Sequence, residues 1–215
     1  MPAEATHSWR TKDGGRIRVT VEPSQIYSNV CRFVSEPALY PGGALHVPSA
    51  ESEKVSYSPL ARRIFGIGGI SDVLIAGDSL TVTTAQPADW AEAGGAVAQA
   101  IREQIESGAA SVSPDHKTSL PEPDVIRNKV QALIDEAVSP AVAGHGGSVA
   151  LLDVRDNNVY LEFGGGCQGC GMSHVTLKYG VERLIREHVP EVGEILDTTD
   201  HAGGENPYYR PAPGR

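Results

Sequence analysis

Cys167 and Cys170 are the residues whose types and spacing point most directly to chemistry. They stand in Phe-Gly-Gly-Gly-Cys-Gln-Gly-Cys-Gly, residues 163–171, with glycines at 164, 165, 166, 169 and 171. Cys-x-x-Cys brings two sulfurs within chelating distance of one another. Glycine has no side chain to block close approach, so backbone N–H groups can point at sulfur or at a bound anionic cluster. A helix predicted to follow directs its positive end at the loop, which lowers thiol pKa and favours anionic ligands.

Four chemistries compete for that pair. Two buried, inert cysteines would not need five neighbouring glycines. A structural zinc site wants four ligands, and only His145 and His174 are at hand as extra donors in this half of the chain. A thioredoxin-type dithiol also sits at a helix N-terminus, but in that fold it follows an early βαβ-type strand rather than a hairpin. An iron–sulfur cluster wants about four thiolates, and one chain offers two. A symmetric dimer supplies two plus two across a two-fold axis, which makes the cluster shared, exposed and transferable.

The elements that must position the loop read as follows. Asp124 is a candidate cap for a helix with Val125, Val130, Leu133, Ile134 and Val138 on its stripe, ending near Pro140 and the Gly144–Gly147 run. Val149–Val154 and Val159–Phe163 alternate as strands around the turn residues Asp156, Asn157 and Asn158. After the glycine-rich loop, a helix from about Ser173 to His188 carries Leu177, Val181, Leu184 and Ile185 on one face, and Val192–Leu196 makes a last strand. The order helix, strand, strand, helix, strand predicts an α+β unit of three strands backed by two helices.

A Ser-, Pro- and Ala-rich stretch at 107–123, with prolines at 114, 121 and 123, reads as a linker, which gives two small α+β domains at 1–106 and 124–200 and a Gly/Pro-rich tail at 201–215. In the first, Arg16–Glu22 alternates as a strand and Val30–Val34 is a second candidate around Cys31. Ser58 and Pro59 open a helix with Leu60, Ile64 and Phe65 inward. Asp72–Ile75 and Ser79–Thr84 form a hairpin, and a helix from about Asp89 to Glu106 carries Val97, Ile101 and Ile105.

Charge and composition exclude several classes. The 215 residues carry a formal charge of −9. Residues 1–106 hold 9 basic and 12 acidic groups, and residues 107–215 hold 9 and 15, so neither half has a basic footprint for nucleic acid. No apolar run approaches the roughly 18 residues that span a bilayer, and the N-terminus lacks the apolar core of a secretory signal, so a cytoplasmic location without membrane is expected. No nucleophile triad, phosphate loop or dinucleotide fingerprint occurs, and Asp135-Glu136, Glu51 and Glu53 read as solvated charge. Cys31 reads as a buried small hydrophobe. His145 reads as a helix-end or packing group, with tuning of a cluster as its other role, His174 as solvent-facing, and Met172 as core.

Residues 124–200 resemble the C-terminal domain of NifU-like (Nfu-type) iron–sulfur carriers, through SPAVAGHGGSVALLDV, VYLEFGGGCQGCGMSHVTLKYGVERLI and GGENPYY. His145 where many members have Asp, and Gly171 where many have Pro, point to the NfuA-like branch. Thr176 and Lys178 match the family's Val-Thr-Leu-Lys. The first half is similar to the Nfu N-terminal domain through YSNVCRF and SPLARRIFGIGGISDVLIAGDSLTVT.

The resemblance implies a non-enzymatic carrier, a homodimer when loaded. Cys167 and Cys170 of each subunit would share one [4Fe-4S] cluster, received from an upstream scaffold and delivered to apo iron–sulfur proteins. Thiol–disulfide exchange at the cysteine pair and a structural zinc adaptor are the alternatives.

Overall fold

The computed structural model describes residues 4–11, 14–144, 146–165 and 171–198, with the side chains of all but 165 and 171–177. The chain divides into two compact units, Met1–Ser119 and Leu120–Arg215. Strands and helices mix in both, which is the α+β class expected from the sequence.

In the first unit, strands β1 (Ala5–Arg10), β2 (Arg16–Pro23), β3 (Val30–Glu36), β4 (Tyr40–Val47), β5 (Ile70–Gly77) and β6 (Ser79–Thr84) form one antiparallel sheet. Their spatial order is β1-β2-β3-β6-β5-β4. Alternation puts Ile17, Val19, Val21, Cys31, Phe33, Val73, Ile75, Leu80 and Val82 on one buried face. Helices α1 (Pro59–Phe65) and α2 (Trp90–Glu106) close that face. Ser58 caps α1 by accepting from Ala61 N–H at 2.9 Å, and Asp89 caps α2 by accepting from Ala91 N–H at 3.0 Å. Gly94 sits inside α2, where glycine ordinarily costs close to 1 kcal/mol. Its place follows from packing, because a Cβ there would lie 3.0 Å from Val21 Cγ1.

Strands β1 and β4 were not legible. Strand β1, Ala-Thr-His-Ser-Trp-Arg, is an edge with a single large apolar side chain, Trp9, packed partly buried against the core, too little for an alternating pattern to show. Strand β4 opens with Tyr-Pro-Gly-Gly, which reads as a turn, and a bulge between Tyr40 and Ala44 absorbs it. Gly43 is required there, since a Cβ would meet the Tyr40 ring at 2.6 Å.

Residues 107–119, read from composition as part of a linker, lie within the first unit. They contain a short helix, α3 (Pro114–Ser119), and bury Ser111, Val112 and His116. Ser58 Oγ donates to Ser111 O at 2.7 Å, Ser113 N–H donates to Tyr57 O at 2.6 Å, and Tyr40 Oη is hydrogen-bonded to His116 Nδ1 at 2.9 Å. Polar, proline-rich composition hides this docking because it is made by hydrogen bonds rather than by an apolar stripe.

The second unit begins with helix α4 (Pro123–Leu133), a π turn (Ile134–Val138) and α5 (Ser139–Ala143). Its cap is Glu122, with no side-chain hydrogen bond, and Asp124 lies inside the first turn rather than at the cap. The buried stripe is Ile126, Val130, Ile134, Val138 and Val142, spaced by four, while Val125 is exposed. The helical run ends at Ala143, with Gly144 as its cap, between Pro140 and the glycine run as expected. Proline has no N–H for the ordinary ladder, and the wider turn, with Ser139 N–H donating to Ile134 O, carries the chain past it.

Strands β7 (Gly147–Arg155) and β8 (Asn158–Gly165) pair antiparallel, with Asp156 at φ +51° in the tight turn. Helix α6 (Gly171–His188) follows, and β9 (Ile195–Asp197) returns parallel to β8. This last strand is shorter and later than Val192–Leu196. Val192 N–H instead donates to Val189 O and Gly193 N–H to Asn157 O, so both residues belong to the turn. The sheet order is β7-β8-β9, with Val159, Leu161, Phe163, Val181 and Ile185 in a core of its own.

Candidate functional site

Cys167 and Cys170, with His145, lie outside the described residues, as do the side chains of Met172, His174 and Thr176. What the fold does settle is the frame around them. Strand β8 ends at Gly165 and α6 begins at Gly171, so both cysteines belong to the five-residue connection between a central strand and an 18-residue helix. Aligned peptide dipoles give the start of such a helix the equivalent of roughly half a positive charge, which favours thiolates and anionic clusters.

Register brings two further segments to the same end of the sheet. Gly147 pairs with Gly165 and Ser148 with Gly164, so β7 starts where β8 runs out. A Cβ on residue 164 would lie 2.5 Å from Ser148 Oγ. Gly164 therefore packs against the Ser148 hydroxyl, with Ser148 Cβ at an ordinary 3.9 Å, whatever the loop beyond it binds. Strand β9 runs parallel to β8, with Leu161 opposite Asp197, and Thr198 donates from both N–H and Oγ1 to Leu161 O at 2.8 and 2.9 Å. The chain thus leaves β9 in the same direction in which β8 heads toward Cys167.

Helix α6 is fastened to this end by charge. Lys178 Nζ lies 3.6 Å from Asp197 Oδ2 and 3.9 Å from Glu182 Oε1. Asp197's side chain is only 7% exposed, so the lysine offsets a carboxylate that solvent cannot. Burial pushes the Glu182 carboxyl above the ordinary range, against the pull of Lys178 and Arg186. At the far end of β7, Asp153 joins Arg127 and Arg155. Burial works to raise its carboxyl, but hydrogen bonds from Arg155, Arg127 and Val154 N–H outweigh it and hold the group low. The Lys178–Asp197 and Arg127–Asp153 pairs were not legible, because each joins a helix to a strand across 19 and 26 positions of sequence.

Cys31 is where the sequence put it. It is fully buried on β3, and burial raises its thiol to about 12, so it stays protonated and unreactive. Among the described residues no group of three or more His, Cys, Asp or Glu side chains could hold a metal ion. None of the described helices is long and apolar enough to cross a membrane.

The molecule is thus a two-unit α+β protein whose second unit presents Cys-x-x-Cys between a strand end and a helix start. Residues 130–196 match the NifU-like domain family, and residues 26–108 match the family described as scaffold protein Nfu/NifU N terminal. The chain carries a NifU-like domain preceded by an Nfu N-terminal domain. It is 46% identical over 85 residues to the Fe/S biogenesis protein NfuA of Pseudomonas aeruginosa PAO1, covering 39% of this chain and 44% of that one. It is 38% identical over 104 residues to the Fe/S biogenesis protein NfuA of Acinetobacter baumannii ATCC 17978, covering 46% of this chain and 49% of that one. The similarity spans just under half the length of these relatives. A solution structure of a NifU-like protein from Saccharomyces cerevisiae aligns with a TM-score of 0.41 at 17% identity, covering 46% of this chain and 86% of that one.

Proposed function

We propose that this protein is a non-enzymatic iron–sulfur carrier. Cys167 and Cys170 of two copies hold one [4Fe-4S] cluster between them and release it to apo iron–sulfur proteins in the cytoplasm. The observation that carries this reading is the position of Cys-x-x-Cys at the β8–α6 connection of a domain matching the NifU-like family. One chain supplies two thiolates, and a cube with four irons wants about one protein ligand each, so two chains satisfy it. Delivery is then ligand exchange: each client thiolate displaces one thiolate of the carrier, and neither iron nor sulfur changes oxidation state. The relatives named for Fe/S biogenesis support the cargo. An upstream scaffold is the source that this role requires.

Anaerobic reconstitution with iron and sulfide tests it. A brown protein is expected, with about two irons and two sulfides per chain in a species sedimenting as a dimer. Cys167→Ser or Cys170→Ser leaves the protein colourless, and Cys31→Ala does not. A cluster-loaded monomer would overturn the bridged arrangement. Stoichiometric zinc in place of iron would support the adaptor, and catalytic turnover of a small disulfide would support the oxidoreductase.

A further inference from the structure

The first unit carries an unexplained concentration of positive charge. Residues 10–18 hold Arg10, Lys12, Arg16 and Arg18 against one acid, Asp13, a net of +3 within a chain of −9. The fold gathers three of them on one surface. Ile17, Val19 and Val21 of β2 face the core, so Arg16 and Arg18 face outward. Arg10 is directly opposite Arg16 across the β1–β2 pair, and Ser8 is opposite Arg18. Like charges directly opposite in a sheet are destabilising, and nothing within the described residues offsets this pair: Arg10 and Arg16 are exposed and form no ion pair there. Arg18 has only an exposed contact to Glu36, at 3.2 Å.

Beside these arginines runs an open edge. Strand β1 is one of the two outer strands of the six-stranded sheet, and its outward side chains short of Arg10 are the small Thr6 and Ser8. An edge strand presents unpaired N–H and C=O groups to which another extended chain can add.

We propose that the outer face of the β1–β2 hairpin docks an extended acidic segment of another protein, which adds along β1 and places alternate carboxylates against Arg10, Arg16 and Arg18. The period-2 alternation of a strand suits this, since every second side chain of the added segment falls on the arginine face. Charge selects the class of partner. A long polyanion such as a nucleic acid would meet the repulsion of the whole acidic chain, whereas a short acidic segment senses mainly charges within the screening length of about 8 Å. The surface lies in the first unit and is independent of the cluster reading, so either can fail without the other.

The test uses the full-length protein and a labelled poly-L-glutamate of about twenty residues, with binding followed by fluorescence anisotropy at several salt concentrations. Binding that weakens with salt is expected, with a loss of about tenfold in Arg10→Glu/Arg16→Glu, two exposed charge contacts being reversed. Arg10→Lys/Arg16→Lys should retain most of the affinity, and Arg32→Gln, further along the same face, all of it. Melting curves establish that each variant is folded, and Arg10→Gln/Arg16→Gln replaces the reversed pair if that one is not. Unchanged binding in the folded variants overturns the proposal. So does an absence of polyglutamate binding at low salt, or tighter binding of a single-stranded oligodeoxynucleotide of equal length.

Discussion

Ser148 and Gly164 face each other across β7 and β8 so closely that a Cβ on residue 164 would lie 2.5 Å from Ser148 Oγ. The contact sits three residues before Cys167, at the last but one register pair before the connection to α6. It makes the approach to the cysteines a matter of strand geometry as well as of ligand chemistry.

Gly164→Ala should therefore destabilise the second unit by about 1–3 kcal/mol, the usual range for forcing a methyl into filled space. Ser148→Ala removes the hydroxyl that collides and leaves Cβ at an ordinary 3.9 Å. The double variant should regain most of the loss. Urea unfolding of the four proteins of this cycle measures it, and additive losses would show that the hydroxyl simply rotates away.

His116 should make the first unit acid-sensitive. It is 5% exposed, and burial first, then Lys54, lowers its imidazole from 6.5 to about 4. The unfolded chain takes up a proton near 6.5 that the folded chain refuses until about 4. Its neutral-form stabilisation is thus complete above pH 6.5 and falls as the pH drops toward 4, by about 3 kcal/mol in all. Melting temperature against pH should show this slope in the parent and a shallower one in His116→Phe, which also loses the hydrogen bond to Tyr40. Parallel slopes would place the acid sensitivity elsewhere.

A fragment from 120 to 215 should fold by itself and, if the carrier reading holds, take up iron and sulfide like the full chain. Its core of Ile126, Val130, Ile134, Phe163, Ile185 and their neighbours is separate from that of the first unit. A cooperative melt together with dispersed amide NMR signals is the expected result. A chain that stays unfolded would show that the boundary at Ser119–Leu120 divides a single cooperative structure.

What the sequence alone determined was whatever depends on local spacing. The β5–β6 hairpin, the cap of α1, the extent of α2, the order of the second unit and the burial of Cys31 follow from alternation, helical stripes and capping residues read within a few positions. The Cys-x-x-Cys pair and its glycines were equally plain, because chelation and close backbone approach are local demands. Tertiary structure decided what depends on partners distant in the chain. Polar β1 and the Tyr-Pro-Gly-Gly start of β4 are strands only because a neighbour satisfies their backbone groups, and residues 107–119 are docked because Ser58, Tyr57 and Tyr40 bond to them. Helix α4 passes Pro140 through a π turn because the stripe from Ile126 to Val142 has a core to fill. Arg10 meets Arg16, Lys178 meets Asp197 and Ser148 meets Gly164 by register, and register is a property of paired strands and packed helices that no single segment carries.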